Sequence, residues 1–274
     1  MVDEHMSSLT VTGEEIENTE RLTRGQNKNE FWYEKRKTLL TASNFGKAAK
    51  TKVEPSKKIK VMVYTNFVTE ALQYGIESEE KAVALYIREM QSEGINVKVE
   101  DVGLLMSKEK PFFAASLDRI ITNQTANEKW GMEIKSPFSK AGMTVEDVCK
   151  AKNFFLEKLS DGTIRLKRTH DYYIQTQGQL FVSSSSLALK GIVFLVYFGD
   201  EMPLFRENMP FERSHWNREL LPKLEYFFKR ALFPEMVTKR VQKGKLLYLH
   251  GGWAPYGQYA CTAKGLKLTF KRAQ

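Results

Sequence analysis

The sequence predicts an α/β (α+β) domain built on one central sheet, and three observations carry that reading. Helical spacing dominates from 29 to 90, strand composition takes over from 95 to 135, and a helix followed by an apolar strand comes later. The chain has 274 residues, enough for one substantial core, and its 42% hydrophobic and 27% charged residues are the make-up of a globular protein.

Residues 1–20, polar and acidic through GEEIENTE, read as a flexible N-terminal tail. From 29 to 50, Phe31, Trp32, Leu39, Leu40 and Phe45 flank the small turn Thr41-Ala42-Ser43-Asn44, which predicts helix, turn, helix. Pro55-Ser56 opens a helix over 59–73, Gly75 breaks it, and 77–90 continues as another. Val97, Val99, Val102, Leu104 and Met106, then FFAASLDRII and WGMEIK, predict strands, with NQTANEK as the last turn.

Residues 145–160 read as helix, Asp161-Gly162 as a turn, 170–184 as helix and 191–198 as a buried strand. A final helix covers 214–232. The main domain therefore spans 21–235, and 236–274 form a basic, aromatic C-terminal extension in which Leu266, Leu268 and Phe270 alternate with Lys267, Thr269 and Lys271. That extension fits either DNA contact or a small capping hairpin.

Several classes drop out. The apolar run 192–198 is far too short to span a bilayer, and the acidic start does not resemble a secretory signal. Cys149 and Cys261 form no CxxC, and the four histidines form no HExxH, so neither a disulfide framework nor a zinc site is indicated. An intracellular setting without a membrane partner is expected, whether cytoplasmic or nuclear. The formal net charge of +9 permits a polyanion such as nucleic acid, and permits acidic membranes or proteins equally.

The chemistry concentrates around Asp118, which closes FFAASLD, and Glu133 with Lys135 in WGMEIKSP. Residues i and i+2 of a strand share a face, so Glu133 and Lys135 are neighbours while Ile134 packs on the other side and offers its carbonyl. Phosphodiester hydrolysis needs hard oxygen ligands for Mg²⁺ or Mn²⁺ and a positive group beside the attacking water. The same residues are also compatible with a turn aspartate and a solvated surface pair; their apolar setting favours a retained site.

On helix 77–90, Glu79 starts the stripe of Val83, Tyr86 and Met90 at about 100° per residue. A carboxylate there meets a cation or metal, or else interacts with the helix dipole. On helix 170–184, Tyr172, Gln175 and Gln179 form a polar stripe that either faces solvent or faces the acids.

Assembled, these residues resemble the PD-(D/E)XK nuclease superfamily, in the branch that includes phage lambda exonuclease and the YqaJ-type viral recombinases. Four segments match in order over roughly half the chain. They are Trp32, Arg36 and Thr41-Ala42-Ser43; Gly75, Glu79 and Ala82; Ser116-Leu117-Asp118 with Glu133-Ile134-Lys135-Ser136-Pro137; and Tyr172, Gln175 and Gln177. The family's proline before the aspartate is Leu117 here, which touches no ligand.

The resemblance implies a restriction-endonuclease-like core with a central mixed sheet flanked by helices. It implies that Asp118, Glu133 and the Ile134 carbonyl bind one Mg²⁺ and Glu79 with Asp118 a second, Mn²⁺ being an alternative. Lys135 would be the catalytic lysine and Gln175 its assistant. Arg36 and Ser43 would take a DNA phosphate, the 5′ end in the exonuclease branch. Lys140 fits either another phosphate contact or a plain loop lysine.

The activity so implied is a 5′ to 3′ exonuclease on linear double-stranded DNA ends, with a homo-oligomeric ring and a single-strand annealing protein as family partners. An endonuclease of the same superfamily and a non-catalytic DNA-binding module are the alternatives. Clustered carboxylates speak against the last, because they repel phosphate.

Overall fold

The computed structural model describes residues 9–65, 69–249 and 251–258. In chain order its strands are β1 (Leu40–Thr41), β2 (Val97–Glu100), β3 (Leu104–Met106), β4 (Phe113–Ser116), β5 (Arg119–Asn123), β6 (Glu128–Lys135), β7 (Leu156–Lys158), β8 (Ile164–Leu166), β9 (Ile192–Val196) and β10 (Phe205–Met209). Its helices are α1 (Gly13–Leu22), α2 (Glu30–Lys37), α3 (Ala42–Ala49), α4 (Ser56–Ile59), α5 (Glu70–Ser92), α6 (Val145–Cys149) and α7 (Asp171–Ser183). They are followed by α8 (Arg213–His215), α9 (Leu221–Phe227) and α10 (Phe233–Thr238), joined by π-helical turns.

The central sheet is mixed, with order β2-β5-β6-β9-β10. β6 and β9 run parallel, Glu133 opposite Phe194 and Lys135 opposite Val196, while the other neighbours are antiparallel. β9 is buried on both faces, which is why IVFLV reads as an unbroken apolar run. Met132, Ile134, Val193 and Leu195 pack on one face against Ala82, Val83, Tyr86 and Met90 of α5. On the other face Phe194 and Val196 share a core with Ile174 and Phe181 of α7.

A second sheet of order β1-β4-β3 stands beside the first. The run FFAASLDRII is thus two strands in two sheets. Leu117 and Asp118 make the crossing, and the Asp118 N–H donates to the Met132 carbonyl at 3.0 Å. α3 lies close against α7 through two glycines: a Cβ at Gly46 would collide with the Asp171 side chain, and one at Gly178 with the Phe45 ring.

Several sequence expectations are corrected. In place of a flexible tail, Gly13–Leu22 form α1, whose capping box joins Thr12 and Glu15 and whose Ile16 is buried with Leu104, Met106 and Ala114. Residues 1–8 of that tail lie outside the described residues. Gly75 does not break the helix: α5 runs through it from the Thr69 cap, its packing offsetting a glycine cost of about 1 kcal/mol. The helix expected over 59–73 is instead α4 with a π-helical turn at Lys60–Tyr64, then the start of α5, residues 66–68 lying outside the described residues.

Residues 145–160 are helical only over α6. Consecutive buried Phe154, Phe155 and Leu156 then lead into β7, and Asp161-Gly162 turns it into β8. The final helical segment extends past 232 to Thr238. Its described continuation folds back on the core, with Val241, Leu247 and Ala254 buried. Glu235 anchors that return by accepting the N–H groups of Val241 at 2.8 Å and Gln242 at 3.1 Å and the Tyr64 hydroxyl at 2.7 Å. Trp253 and Tyr256 gather around the Tyr226 ring, and no strand forms among residues 236–258 that are described. The alternating Leu266–Phe270 pattern lies outside the described residues.

Candidate active site

Strand alternation sends Glu133 and Lys135 of β6 to one side and Ile134 to the other, as the spacing required. Glu133 is 2% exposed, a burial that an isolated carboxylate could not sustain. It is met by three donors: Lys135 Nζ and Gln175 Nε2, at 2.6 Å, on Oε1, and Gln179 Nε2 on Oε2. Both glutamines come from α7, so the polar stripe of that helix faces the acids and is buried. Gln177 points elsewhere, donating to the Pro210 carbonyl at 2.9 Å and accepting the Glu212 N–H at 2.8 Å.

Asp118 sits beside this pair, its Oδ2 accepting the Ile134 N–H at 2.6 Å. The N–H and C=O of one strand residue point the same way, so Ile134 presents its carbonyl on the edge just before β5 begins. Burial pushes the Asp118 carboxyl well up from its ordinary range, and the charge of Glu133 adds to that. Burial pulls Lys135 down, but Glu133 and Asp118 outweigh it and hold the ammonium above its ordinary value. Lys135 is therefore a cation, lying 4.5 Å from the centre of the Tyr172 ring.

These groups border a cleft of about 540 Å³ that Glu79, Asp118, Ile134, Lys135 and Tyr172 line. Glu79 reaches it from α5, and its carboxyl is raised first by burial and then, against the opposing pull of Arg119, by Glu80 and Glu133. The site's ion pairs show a residue that sequence reasoning missed: Arg119 pairs with Glu79, Glu80 and Asp101. Gln179, seen in the stripe but not singled out, is the second omission. Lys140 sits in a short 3-10 turn, Phe138–Lys140, and is not part of the cleft lining.

Arg36 and Ser43 are brought together, Nη2 donating to Oγ at 3.1 Å. The guanidinium lies 4.0 Å from the Trp32 ring, which lines the cleft and donates to Ser116 Oγ at 2.8 Å. Burial lowers the Arg36 pKa to about 10, still charged at neutral pH, and it makes no ion pair among the described residues. An uncompensated cation near the first turn of α3 suits an anion.

Oxygen is the chemistry of this cleft. Glu79, Glu80, Asp101 and Glu133 pair, among the described residues, only with Arg119 and Lys135, and Asp118 has no ion pair. That surplus of hard donors fits a divalent cation. The carboxylates are not gathered into a cage, however: no group of three or more His, Cys, Asp or Glu side chains is set to hold a metal among the described residues. Asp118, Glu133, Lys135 and Gln175 come together, whereas Glu79 is turned to Arg119. No helix among the described residues is long and apolar enough to cross a membrane.

The fold is shared with solved nucleases. The alkaline exonuclease LHK-Exo of Laribacter hongkongensis matches with a TM-score of 0.53 at 21% identity, over 79% of this chain and 98% of its own. A SOX protein in a DNA complex also matches at 0.53, with 14% identity over 81% and 72%. SOX of KSHV in an RNA complex matches at 0.50, with 15% identity over 79% and 74%. No curated protein sequence matches the chain. Residues 31–186, which hold α2 from its second residue, the β4–β6 carboxylates and all of α7, match the YqaJ-like viral recombinase domain. More than half of the chain is covered by that match, and the chain belongs to the YqaJ-like viral recombinase domain family.

Proposed function

We propose that the chain is a divalent-metal-dependent deoxyribonuclease, and within that class a 5′ to 3′ exonuclease acting on linear double-stranded DNA ends. The observation that carries it is the buried Glu133–Lys135 pair with Asp118 beside it at a cleft. Asp118, Glu133 and the Ile134 carbonyl would hold one Mg²⁺ or Mn²⁺, and Glu79 with Asp118 a second. When bound, the metal supplies most of the charge stabilisation that phosphodiester hydrolysis needs.

The chain's own residues do the rest. Gln175 fixes the Glu133 carboxylate, and Lys135 sets a point charge beside the phosphate under attack. Arg36 and Ser43 take the terminal 5′ phosphate, with Trp32 as the platform of the guanidinium. Water breaks the bond from phosphorus to the 3′ oxygen, releasing a nucleotide with a 3′ hydroxyl and leaving a new 5′ phosphate on the strand. The fold match to an exonuclease that has been crystallised in complex with dAMP is in keeping with a nucleotide ligand. A ring-shaped homo-oligomer and a single-strand annealing partner belong to the same reading, and light scattering on the full chain tests the first.

The deciding experiment digests linear duplex DNA with and without a 5′ phosphate, beside a covalently closed circle, in Mg²⁺ or EDTA. Only the linear DNA is expected to disappear, faster with the phosphate, and Lys135→Ala is expected to slow the reaction by about 10²–10³-fold. Cutting of the circle would replace this reading with an endonuclease. Binding without cleavage would leave a DNA-binding module.

A further inference from the structure

Arg119 opens β5 directly after Asp118, and only 12% of its side chain is exposed. One nitrogen, Nη1, donates to Glu79 Oε1 and to the Asp118 carbonyl, the latter at 2.6 Å. Nη2 meets Glu80 at 2.5 Å and Nε meets Asp101 at 3.2 Å. One guanidinium thus ties together two acids of α5, one in the loop between β2 and β3, and the backbone of a candidate ligand. Glu80 and Asp101 are mostly exposed and hold the guanidinium loosely, so its direction is set by Glu79 and the Asp118 carbonyl, both met by the one nitrogen.

Glu79 has one oxygen occupied in this way, and its Oε2 meets no donor among the described residues. Glu79 comes from α5, whereas Asp118 and Glu133 come from the sheet. Without a tether, repulsion from Glu80, Asp118 and Glu133 would turn the Glu79 carboxylate outward.

We propose that Arg119 is a positioning residue for metal loading: by holding Glu79 through one oxygen it presets the other as a ligand and raises the cleft's affinity for a divalent cation. This rests on the nuclease reading above. The sign of the effect separates it from simple electrostatics. Removing a positive charge from an acidic cleft strengthens cation binding if charge is all that matters, whereas removing a positioning residue weakens it.

The test is titration of the full chain with Mg²⁺ by calorimetry, for wild type, Arg119→Met and Arg119→Lys, alongside DNA cleavage across Mg²⁺ concentrations. Arg119→Met is expected to weaken Mg²⁺ binding at least about ten-fold, the scale seen when a ligand loses its supporting hydrogen bonds. The Mg²⁺ concentration for half-maximal cleavage should rise in step, with kcat at saturating Mg²⁺ largely restored. Arg119→Lys keeps the charge without the fork and should fall between, so it decides the matter if Arg119→Met does not fold. Equal or tighter Mg²⁺ binding in the folded variants overturns the proposal, as does a wild type that binds no Mg²⁺. A wild type that binds Mg²⁺ and leaves DNA intact sinks the nuclease reading instead, and the affinity comparison still judges Arg119.

Discussion

Glu133 owes its place to one neighbour on its own strand and to two partners from one distant helix, α7. Lys135 is two residues away, but Gln175 and Gln179 arrive from 42 and 46 positions further along the chain. Gln179 also holds the Ser116 carbonyl at 2.9 Å, the residue whose hydroxyl receives Trp32. Gln179→Leu would leave a buried carboxylate oxygen and a carbonyl short of a donor, a loss of about 1–3 kcal/mol. Denaturant unfolding should show that loss, together with slower DNA cleavage; an unchanged midpoint would contradict the assignment. Asp118, Glu133 and Lys135 were legible because strand parity and an apolar setting act locally. Arg119 was not, since its acidic partners on α5 and at Asp101 are brought to it by tertiary folding alone.

At the scale of elements, β6, α7 and β9 followed from their patterns; the sequence left open whether Gln175 and Gln179 face solvent or the acids, and the structure turns them to Glu133. Propensity misled at Gly75, where packing of Ala82, Val83 and Tyr86 carries the helix through. It misled again at α1, where the overall polarity hid a local signal: Thr12 and Glu15 spell a capping box. Ile16 then buries itself on the second sheet, beside the partly buried Trp32. Ile16→Ala is expected to cost about 2–5 kcal/mol, as large-to-small core changes do, and thermal unfolding checks it. A loss under half a kcal/mol would mean that α1 is not docked in solution.

For the whole molecule, burial raises the hydroxyl pKa of Tyr64, Tyr86, Tyr173, Tyr197, Tyr226 and Tyr248, with Glu235 adding at Tyr64 and Asp200 at Tyr197. A raised folded-state value means that the native protein keeps a proton the unfolded chain has released. The stability tied to these groups is therefore complete below about pH 10, the ordinary tyrosine value, and is lost as pH climbs above it. Urea midpoints should fall between pH 10 and 11, and less steeply in Tyr64→Phe and Tyr197→Phe. Equal slopes in wild type and variants would refute the link.

The crossover from β6 to β9 has a consequence in time. The β5–β6 hairpin closes over a short loop and carries Asp118, Arg119, Glu133 and Lys135, yet Glu133 gains its amide donors only when α7 packs, late in chain order. Long-range closure is slow compared with hairpin formation. A partly made or partly refolded chain is then expected to hold its acids in water, unaligned, and, on the nuclease reading proposed above, to leave nucleic acid intact. In stopped-flow refolding, cleavage should return only with the slowest phase of native fluorescence. Dormancy until completion would be built into the connectivity, with no inhibitor required.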